Sequence, residues 1–123
     1  MNYSIQRNLI LEEVKNRCDH PTAEIIYESI KLKLPNISLG TVYRNLSKLS
    51  DLDLINRVTI PNSKDRFDKT LLHHSHFICS NCGIVYDLFE IDNKSIINTI
   101  EKTKEYNVKD LSLTVSGTCA KCT

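Results

Sequence analysis

The chain has 123 residues, of which 41% are hydrophobic, and its formal net charge at pH 7 is +1. This length fits one domain or two very small ones, and cores of that size gain stability from a structural metal or a partner subunit. The nearly neutral charge excludes no partner class, so a basic surface for nucleic acid would have to be local. Because the apolar runs are short and the N-terminus lacks a signal-peptide core, we expect a cytoplasmic protein without membrane spans.

The first half of the sequence predicts three helices and a β-hairpin. Apolar residues recur at helical spacing over residues 5–16, and a second helix is predicted to begin at His20-Pro21-Thr22-Ala23 and to end at Pro35-Asn36. Ser38 is a good N-cap for a third helix from Leu39 to about Leu49. A strand over 54–60, a turn over 61–65 and a strand from 66 to 68 follow. This order is typical of a winged helix-turn-helix.

The third helix has the composition of a DNA-recognition helix. Its apolar residues Val42, Leu46 and Leu49 are expected to be buried. The residues expected on the outside, as contacts for base edges and phosphates, are Thr41, Tyr43, Arg44, Asn45 and Lys48. The alternative is a solvated helix face, which any amphipathic helix has.

The second half predicts a different, strand-rich unit. Short strands over 74–79 and 84–88 flank a Cys79-x-x-Cys82-Gly83 turn, followed by a helix over 95–105 and a strand over 108–115. The helix is expected to bury Ile96, Ile97 and Ile100. The predicted fold class is therefore α+β: a winged helix over residues 1–69, then a small ββαβ domain over 70–123. The boundary is expected near Lys69–Leu72.

Two Cys-x-x-Cys pairs, Cys79/Cys82 and Cys119/Cys122, supply the four thiolates of a tetrahedral structural Zn²⁺ site. A redox dithiol is the alternative, but that motif needs a βαβ context, and the Ser80-Asn81 spacer with Gly83 favours a zinc knuckle. Cys18 has no partner nearby in the sequence and is expected to be a buried filler near a helix end.

The run His73-His74-Ser75-His76 offers more ligands than a closed zinc site can use, which suggests a second metal. His74 and His76 alternate on a predicted strand and therefore share one face. His73 is expected to face solvent or to lie behind the ligands. Taken alone, His20 is typical of a helix-cap residue on the surface.

Five segments together resemble the Fur family of metal-dependent transcriptional regulators. They are His20-Pro-Thr-Ala-x-x-Ile-Tyr, Thr41-Val-Tyr-Arg-Asn-Leu, Arg66-Phe-Asp, His74-x-His-x-x-Cys-x-x-Cys-Gly and Cys119-x-x-Cys. Asp68 and Ser75 make the chain most similar to PerR-type members, which sense peroxide. Family members usually carry a further N-terminal helix before the pair that stands here at Gln6-Arg7, and we expect this chain to start too late to include it.

The resemblance implies a homodimeric repressor, not an enzyme, that binds a double-stranded operator, an inverted repeat. It implies Fe²⁺ or Mn²⁺ at a regulatory site whose ligands clamp the two halves together: His20, Asp68, His74, His76 and Asp87. Asp87 is singled out only by the resemblance and would otherwise be read as a turn carboxylate. In such proteins Fe²⁺ and hydrogen peroxide oxidise a ligand histidine, here His20 or His74, and the DNA is released.

Three other functions compete with this interpretation. The first is an iron-sensing Fur protein, or another metal sensor, of the same fold. The second is a zinc enzyme such as a nucleobase deaminase, which needs His-x-Glu and Pro-Cys-x-x-Cys, and the sequence has neither. The third is a zinc-ribbon module without sensing, which would leave His20 and Asp68 free of metal.

Overall fold

The computed structural model describes residues 3–71, 74–109 and 111–123, without the side chain of Tyr3. The chain divides into two compact units, Met1–Leu72 and His73–Thr123. The predicted boundary region ends at Leu72, which lies outside the described residues. Among the helices in those ranges, none has both the length and the apolar character needed to cross a membrane.

The N-terminal unit consists of three helices followed by an antiparallel hairpin. Thr22 and Ser38 cap the second and third helices, and each side chain accepts a hydrogen bond from the backbone N–H three residues on. The elements are α1 (Tyr3–Lys15), α2 (Ala23–Ile30), α3 (Leu39–Asp51), β1 (Asn56–Val58) and β2 (Arg66–Asp68). In the hairpin, Arg57 pairs with Phe67.

The core of this unit forms where the apolar stripes of the three helices meet. Fully buried residues come from each helix and from the hairpin: Ile10, Val14, Ala23, Ile26, Val42, Leu46, Leu49 and Phe67. Phe67 is the hairpin's anchor, because its ring is inaccessible to solvent while the neighbouring Arg57 remains exposed. The predicted helix–helix–helix–hairpin order is confirmed.

Helix α2 is shorter than predicted. It ends at Ile30, and a turn carries the chain to Leu34, whose N–H still donates to the Ile30 carbonyl over 2.8 Å. Leu34 is nevertheless buried, so the helical spacing of apolar residues extends beyond the last residue of the regular helix. The first strand of the hairpin is also shorter than the predicted 54–60.

Asn45 does not face outward, so that part of the prediction for the third helix is wrong. It is buried, and its side-chain amide donates to the Thr41 carbonyl over 2.9 Å. Asn45 lies three residues after Val42 and four before Leu49, which places it on the buried face of α3. A polar residue at that position needs an internal acceptor, and the carbonyl supplies it.

Cys18 was expected to be buried, and that expectation is also wrong. The Cys18 thiol is exposed, with the Lys69 ammonium nitrogen 3.2 Å from its sulfur. The residue follows the end of α1, where the chain leaves the core. Ile5, near the start of α1, is also exposed, because the apolar stripe meets the rest of the core only from Leu9 onward.

The C-terminal unit has the predicted ββαβ order. Its elements are β3 (Ser75–Cys79), β4 (Val85–Leu88), α4 (Asn93–Lys104) and β5 (Thr114–Gly117). The sheet order is β4-β3-β5, with β3 antiparallel to β4 and parallel to β5. The central strand β3 therefore joins the hairpin to the C-terminal segment of the chain. The predicted α+β fold class is confirmed.

Two details of this unit differ from prediction. Strand β5 starts at Thr114 instead of Val108, because β3 begins at Ser75 and its ladder with β5 starts at the pair His76 and Thr114. Within the described residues, α4 buries none of its side chains, and Ile100 is 37% exposed. The expectation that its isoleucines are inside is therefore wrong for a single chain.

Candidate metal centres

The four cysteines of the two Cys-x-x-Cys pairs come together in the C-terminal unit. Their sulfur atoms all lie within 4.8 Å of one another, and Cys82 Sγ is 3.8 Å from Cys119 Sγ. A tetrahedral Zn²⁺ with Zn–S bonds of about 2.3 Å requires sulfur–sulfur separations of about 3.8 Å. The geometry and the all-sulfur donor set therefore fit a closed zinc site, and the cysteines form no disulfide.

Two tight turns hold these sulfurs. In the first, the Gly83 N–H donates to the Cys79 carbonyl over 2.9 Å, and Gly83 takes a left-handed φ of 79° that glycine adopts without strain. In the second, the Cys122 N–H donates to the Cys119 carbonyl over 2.9 Å. The Ser80 N–H donates to the Gly117 carbonyl over 2.8 Å and ties the two turns together.

The acidity of the thiols is divided unevenly in this cluster. Hydrogen bonds from the backbone N–H groups of Cys82 and Cys119 lower the pKa of Cys79 to about 6. For Cys122, a hydrogen bond with Asn81 lowers the pKa, but the neighbouring sulfurs and burial outweigh it and raise the pKa to about 11. Cys79 thus forms a thiolate readily, whereas Cys122 needs a cation nearby to stabilise its negative charge.

The N-terminal unit brings His20 and Asp68 together. His20 Nε2 lies 3.4 Å from Asp68 Oδ2, and both side chains are buried. Strand β2 positions the histidine: Arg66 Nη1 donates to the His20 carbonyl over 3.1 Å, and the Phe67 N–H donates to the Pro21 carbonyl over 2.9 Å. His20 has a φ of 50°, which few side chains other than Asn, Asp and His adopt.

The C-terminal unit brings together His74, His76 and Asp87. His74 Nε2 lies 2.5 Å from Asp87 Oδ1, and His76 Nε2 lies 3.3 Å from the same oxygen. The two imidazole rings are 4.3 Å apart between centroids. Two ring nitrogens and a carboxylate that converge in this way form a donor set suited to Fe²⁺ or Mn²⁺. His73 lies outside the described residues.

The register of the β3–β4 hairpin gives a reason to choose Asp87 that does not depend on any resemblance. The Cys79 N–H donates to the Ile84 carbonyl, which closes the knuckle. Counting outward from that closure, His76 is paired with Asp87. Directly opposite residues have neighbouring Cβ atoms on one face of the sheet. The distance along the sequence from the Cys79–Ile84 turn could therefore have identified Asp87 as the residue opposite His76.

The predicted recognition residues differ in their exposure. Arg44 and Lys48 are exposed, whereas Thr41 and Tyr43 are half-buried. Arg44 Nη2 donates to Thr41 Oγ1 over 3.0 Å, and Thr41 Oγ1 is 2.9 Å from Ser38 Oγ. The arginine is therefore held over the first turn of α3 by the residues that cap this helix.

Known proteins are similar to this chain over most of its length. The model of the Ferric uptake regulator family matches residues 1–116. The Peroxide operon regulator of Bacillus subtilis is 33% identical over 117 residues, which cover 95% of this chain and 81% of that protein. The Peroxide-responsive repressor PerR of Staphylococcus epidermidis is 30% identical over 117 residues, 95% of this chain and 78% of the relative.

Solved structures match the fold as well. The peroxide stress regulator of Campylobacter jejuni is 32% identical, with a TM-score of 0.75, over 98% of this chain and 90% of that one. The ferric uptake regulator Fur of Helicobacter pylori is 25% identical, with a TM-score of 0.85, over 99% of this chain and 81% of that one. The chain therefore belongs to the Ferric uptake regulator family of metal-responsive transcription regulators.

Proposed function

We propose that this protein is a cytoplasmic, homodimeric, metal-dependent repressor of the PerR type. In this proposal, residues 1–69 bind DNA and residues 70–123 form a zinc-containing dimerisation domain. The observation that carries the proposal is the convergence of His74 Nε2 and His76 Nε2 on one oxygen of Asp87. Relatives named as peroxide regulators, at 30–33% identity, support the choice of signal.

Zinc is the metal we propose for the four cysteines. The spacing of the four sulfur atoms and the two turns that hold them support this choice. Four thiolates complete the tetrahedral shell of Zn²⁺, which therefore needs no further ligand. The zinc would fix Cys79, at the end of β3, to Cys119, just after β5. It would thereby close the sheet at one end.

Cys119→Ser should release the zinc and unfold the C-terminal unit, because a four-thiolate site can contribute on the order of 10 kcal/mol to folding. Zinc content per chain and sedimentation would measure the loss of metal and of the dimer. Cys18→Ser is the matched control, since Cys18 is an exposed thiol outside the cluster. A Cys119→Ser protein that stays folded and dimeric without zinc would refute the structural role.

For the regulatory site, we propose that one Fe²⁺ or Mn²⁺ takes ligands from both units. The pair His20 and Asp68 supplies two donors, and the trio His74, His76 and Asp87 supplies three. These ions prefer more than four nitrogen and oxygen ligands, so neither set alone completes the coordination shell. The five donors together come close to completing it. Metal binding would then favour the arrangement in which the two sets meet.

His20→Ala and Asp87→Ala should each weaken Mn²⁺ binding at least ~10-fold while leaving zinc in place, because changes even behind the ligands cost about 10–100-fold. Calorimetric titration of the zinc-loaded protein with Mn²⁺ would measure this. Glu90→Ala is the control, since Glu90 is an exposed carboxylate three residues beyond Asp87. If His20→Ala binds Mn²⁺ as tightly as the parent protein, the site lies wholly in the C-terminal unit, and the zinc-ribbon alternative regains support.

For DNA, we propose that α3 enters the major groove of an inverted-repeat operator. Thr41, Tyr43, Arg44 and Lys48 would contact the duplex. The Asn45 side-chain amide donates to the Thr41 carbonyl, so we propose that Asn45 stabilises α3 and does not contact DNA. Dimerisation is supported by α4, whose apolar residues are only partly covered within one chain and would be covered by a second copy.

Arg44→Ala should weaken specific DNA binding by about 1–3 kcal/mol and relax the preference at one base, if the arginine contacts a guanine with both nitrogens. Lys48→Ala should weaken binding to all duplexes alike and flatten the salt dependence, because a phosphate contact carries no sequence information. Gel retardation with selected duplexes would measure both. Lys15→Ala, at the end of α1, is the control. The assignment of α3 fails if neither Arg44 nor Lys48 affects retardation.

For the signal, we propose that hydrogen peroxide oxidises His20 or His74. Bound Fe²⁺, held by these residues, would catalyse the cleavage of the O–O bond with no net change in its own oxidation state, and the two electrons that peroxide takes up would come from a C–H bond of the imidazole. One peroxide oxygen ends on the imidazole ring, and the other leaves as water. Asp68 would be one of the residues that hold this metal: the Thr70 N–H donates to Asp68 Oδ1 over 3.1 Å, and Asp68 Oδ2 lies 3.4 Å from His20 Nε2.

Asp68→Glu should keep metal-dependent DNA binding but lose peroxide sensing, because the added methylene moves the carboxylate out of this short hydrogen-bonded turn. Peptide mass spectrometry after low peroxide should find one added oxygen on a His20 or His74 peptide of the parent Fe²⁺ form and none in the Mn²⁺ form. Oxidation restricted to the zinc-site cysteines, or absent from histidine, would favour an iron-sensing regulator of the same fold.

A further inference from the structure

His20 stands in the short connection between α1 and α2, which spans residues 16–22. Its backbone is left-handed there, with a φ of 50°. A residue other than glycine keeps such a conformation only where the surrounding contacts determine it. The contacts that fix this connection therefore also fix the direction in which the His20 side chain leaves the backbone.

Arg17 lies in this connection and binds both helices as well as the residue that precedes His20. Its Nε and Nη2 donate to the two carboxylate oxygens of Asp19, over 3.0 and 2.9 Å. Its Nη1 donates to Glu13 Oε2 over 2.8 Å and to Ser29 Oγ over 3.2 Å. Glu13 belongs to α1 and Ser29 belongs to α2. One guanidinium therefore joins Asp19 to both helices.

This network differs from an ordinary ion pair on the surface. A planar guanidinium that binds both oxygens of a carboxylate fixes the orientation of that carboxylate as well as its distance. The Arg17 side chain is 25% exposed, whereas Lys31 and Glu28, which form a simple pair at the end of α2, are 40% and 64% exposed. Isolated pairs of the exposed kind contribute little. The contact between Arg17 and Asp19 is the kind that can hold a loop.

Strand β2 holds the same connection at the residues that follow Asp19. Arg66 donates to the His20 carbonyl, and the Phe67 N–H donates to the carbonyl of the next residue. The φ of His20 is the torsion between the carbonyl carbon of Asp19 and its own carbonyl carbon. Because β2 restrains the second of these atoms and Arg17 restrains the residue that carries the first, the two contacts together define φ.

We propose that Arg17 is a positioning residue of the regulatory metal site. By holding Asp19, it keeps the His20 imidazole turned toward Asp68, whose Oδ2 lies 3.4 Å from His20 Nε2. The inference rests on the proposed function, because it takes His20 as a ligand of the regulatory metal. It adds a residue that is not itself a ligand and that preorganises one. A ligand already in its bound conformation loses less conformational freedom when the ion binds.

Three single substitutions and one double substitution test the contact from both of its ends. Arg17→Met removes the charge and keeps an apolar stem, whereas Arg17→Lys keeps the charge without the planar fork. Asp19→Asn removes the charged partner with almost no change in shape. The double variant with Arg17→Met and Asp19→Asn shows whether both residues act through the same contact. Lys31→Met is the matched control, since it removes the cation of the simple pair with Glu28.

Two properties of the zinc-loaded proteins would be measured, under conditions in which urea unfolding shows every variant to be folded. The first is the Mn²⁺ Kd from calorimetric titration. The second needs no regulatory metal: it is the nuclear Overhauser effect between the amide and α protons of His20. That effect is strong at a positive φ, where the two protons lie on the same side of the N–Cα bond, and it weakens when the backbone leaves this conformation.

We expect Arg17→Met, Arg17→Lys and Asp19→Asn each to raise the Mn²⁺ Kd by about three- to tenfold and to weaken this signal of His20. The double variant should bind Mn²⁺ no more weakly than the weaker of its two single variants, because both changes remove one contact. Lys31→Met should match the parent protein in both measurements.

A parental Mn²⁺ Kd and a parental His20 signal in Arg17→Met and Asp19→Asn would overturn the inference. If His20→Ala still weakens Mn²⁺ binding in that case, the proposed function stands without it. Easier unfolding in urea with an unchanged Mn²⁺ Kd would also overturn the inference, because Arg17 would then serve stability alone. If His20→Ala itself binds Mn²⁺ as tightly as the parent protein, the proposed site fails, and the role of Arg17 fails with it.

Discussion

The register of strand β3 is the constraint on which both metal centres depend. This strand carries His76 near its start and Cys79 at its end, and it pairs with both other strands of the sheet. On one side the register sets His76 opposite Asp87, and on the parallel side it sets Cys79 opposite Gly117, two residues before Cys119. A shift of one residue would turn every side chain of β3 to the other face and would dismantle both donor sets.

In the function that we propose, one centre would stabilise the fold and the other would respond to the signal. The four cysteines form a closed donor set, which suits an ion that stays bound and that would add to the stability of this small unit. The histidines and carboxylates are distributed over two units, so an ion bound to all of them would report on the arrangement of those units. A metal-responsive regulator needs both, because a response is reproducible only when the responding donors stand on a rigid element.

Sequence patterns predicted the elements that have strong local signals. They failed where contacts between residues distant in the sequence determine the structure. The caps at Thr22 and Ser38 and the knuckle at Cys79 were found because each is encoded within a few residues. The start of β5 was missed, since it depends on where β3 begins. Asn45 was misplaced because a polar residue can be buried when a backbone carbonyl accepts from it. The rings of Phe89 and His74 have centroids 4.5 Å apart, and no sequence period could reveal that contact.

If a single ion binds the donors of both units, as we propose, the paramagnetism of Mn²⁺ will broaden NMR signals in both units at once. Backbone amide signals of the zinc-loaded protein would be followed by NMR during titration to one equivalent of Mn²⁺. We expect the signals around His20 and Asp68 to broaden together with those around His76 and Asp87, with one shared midpoint. Broadening confined to the residues around His76 and Asp87, or two separate midpoints, would contradict it.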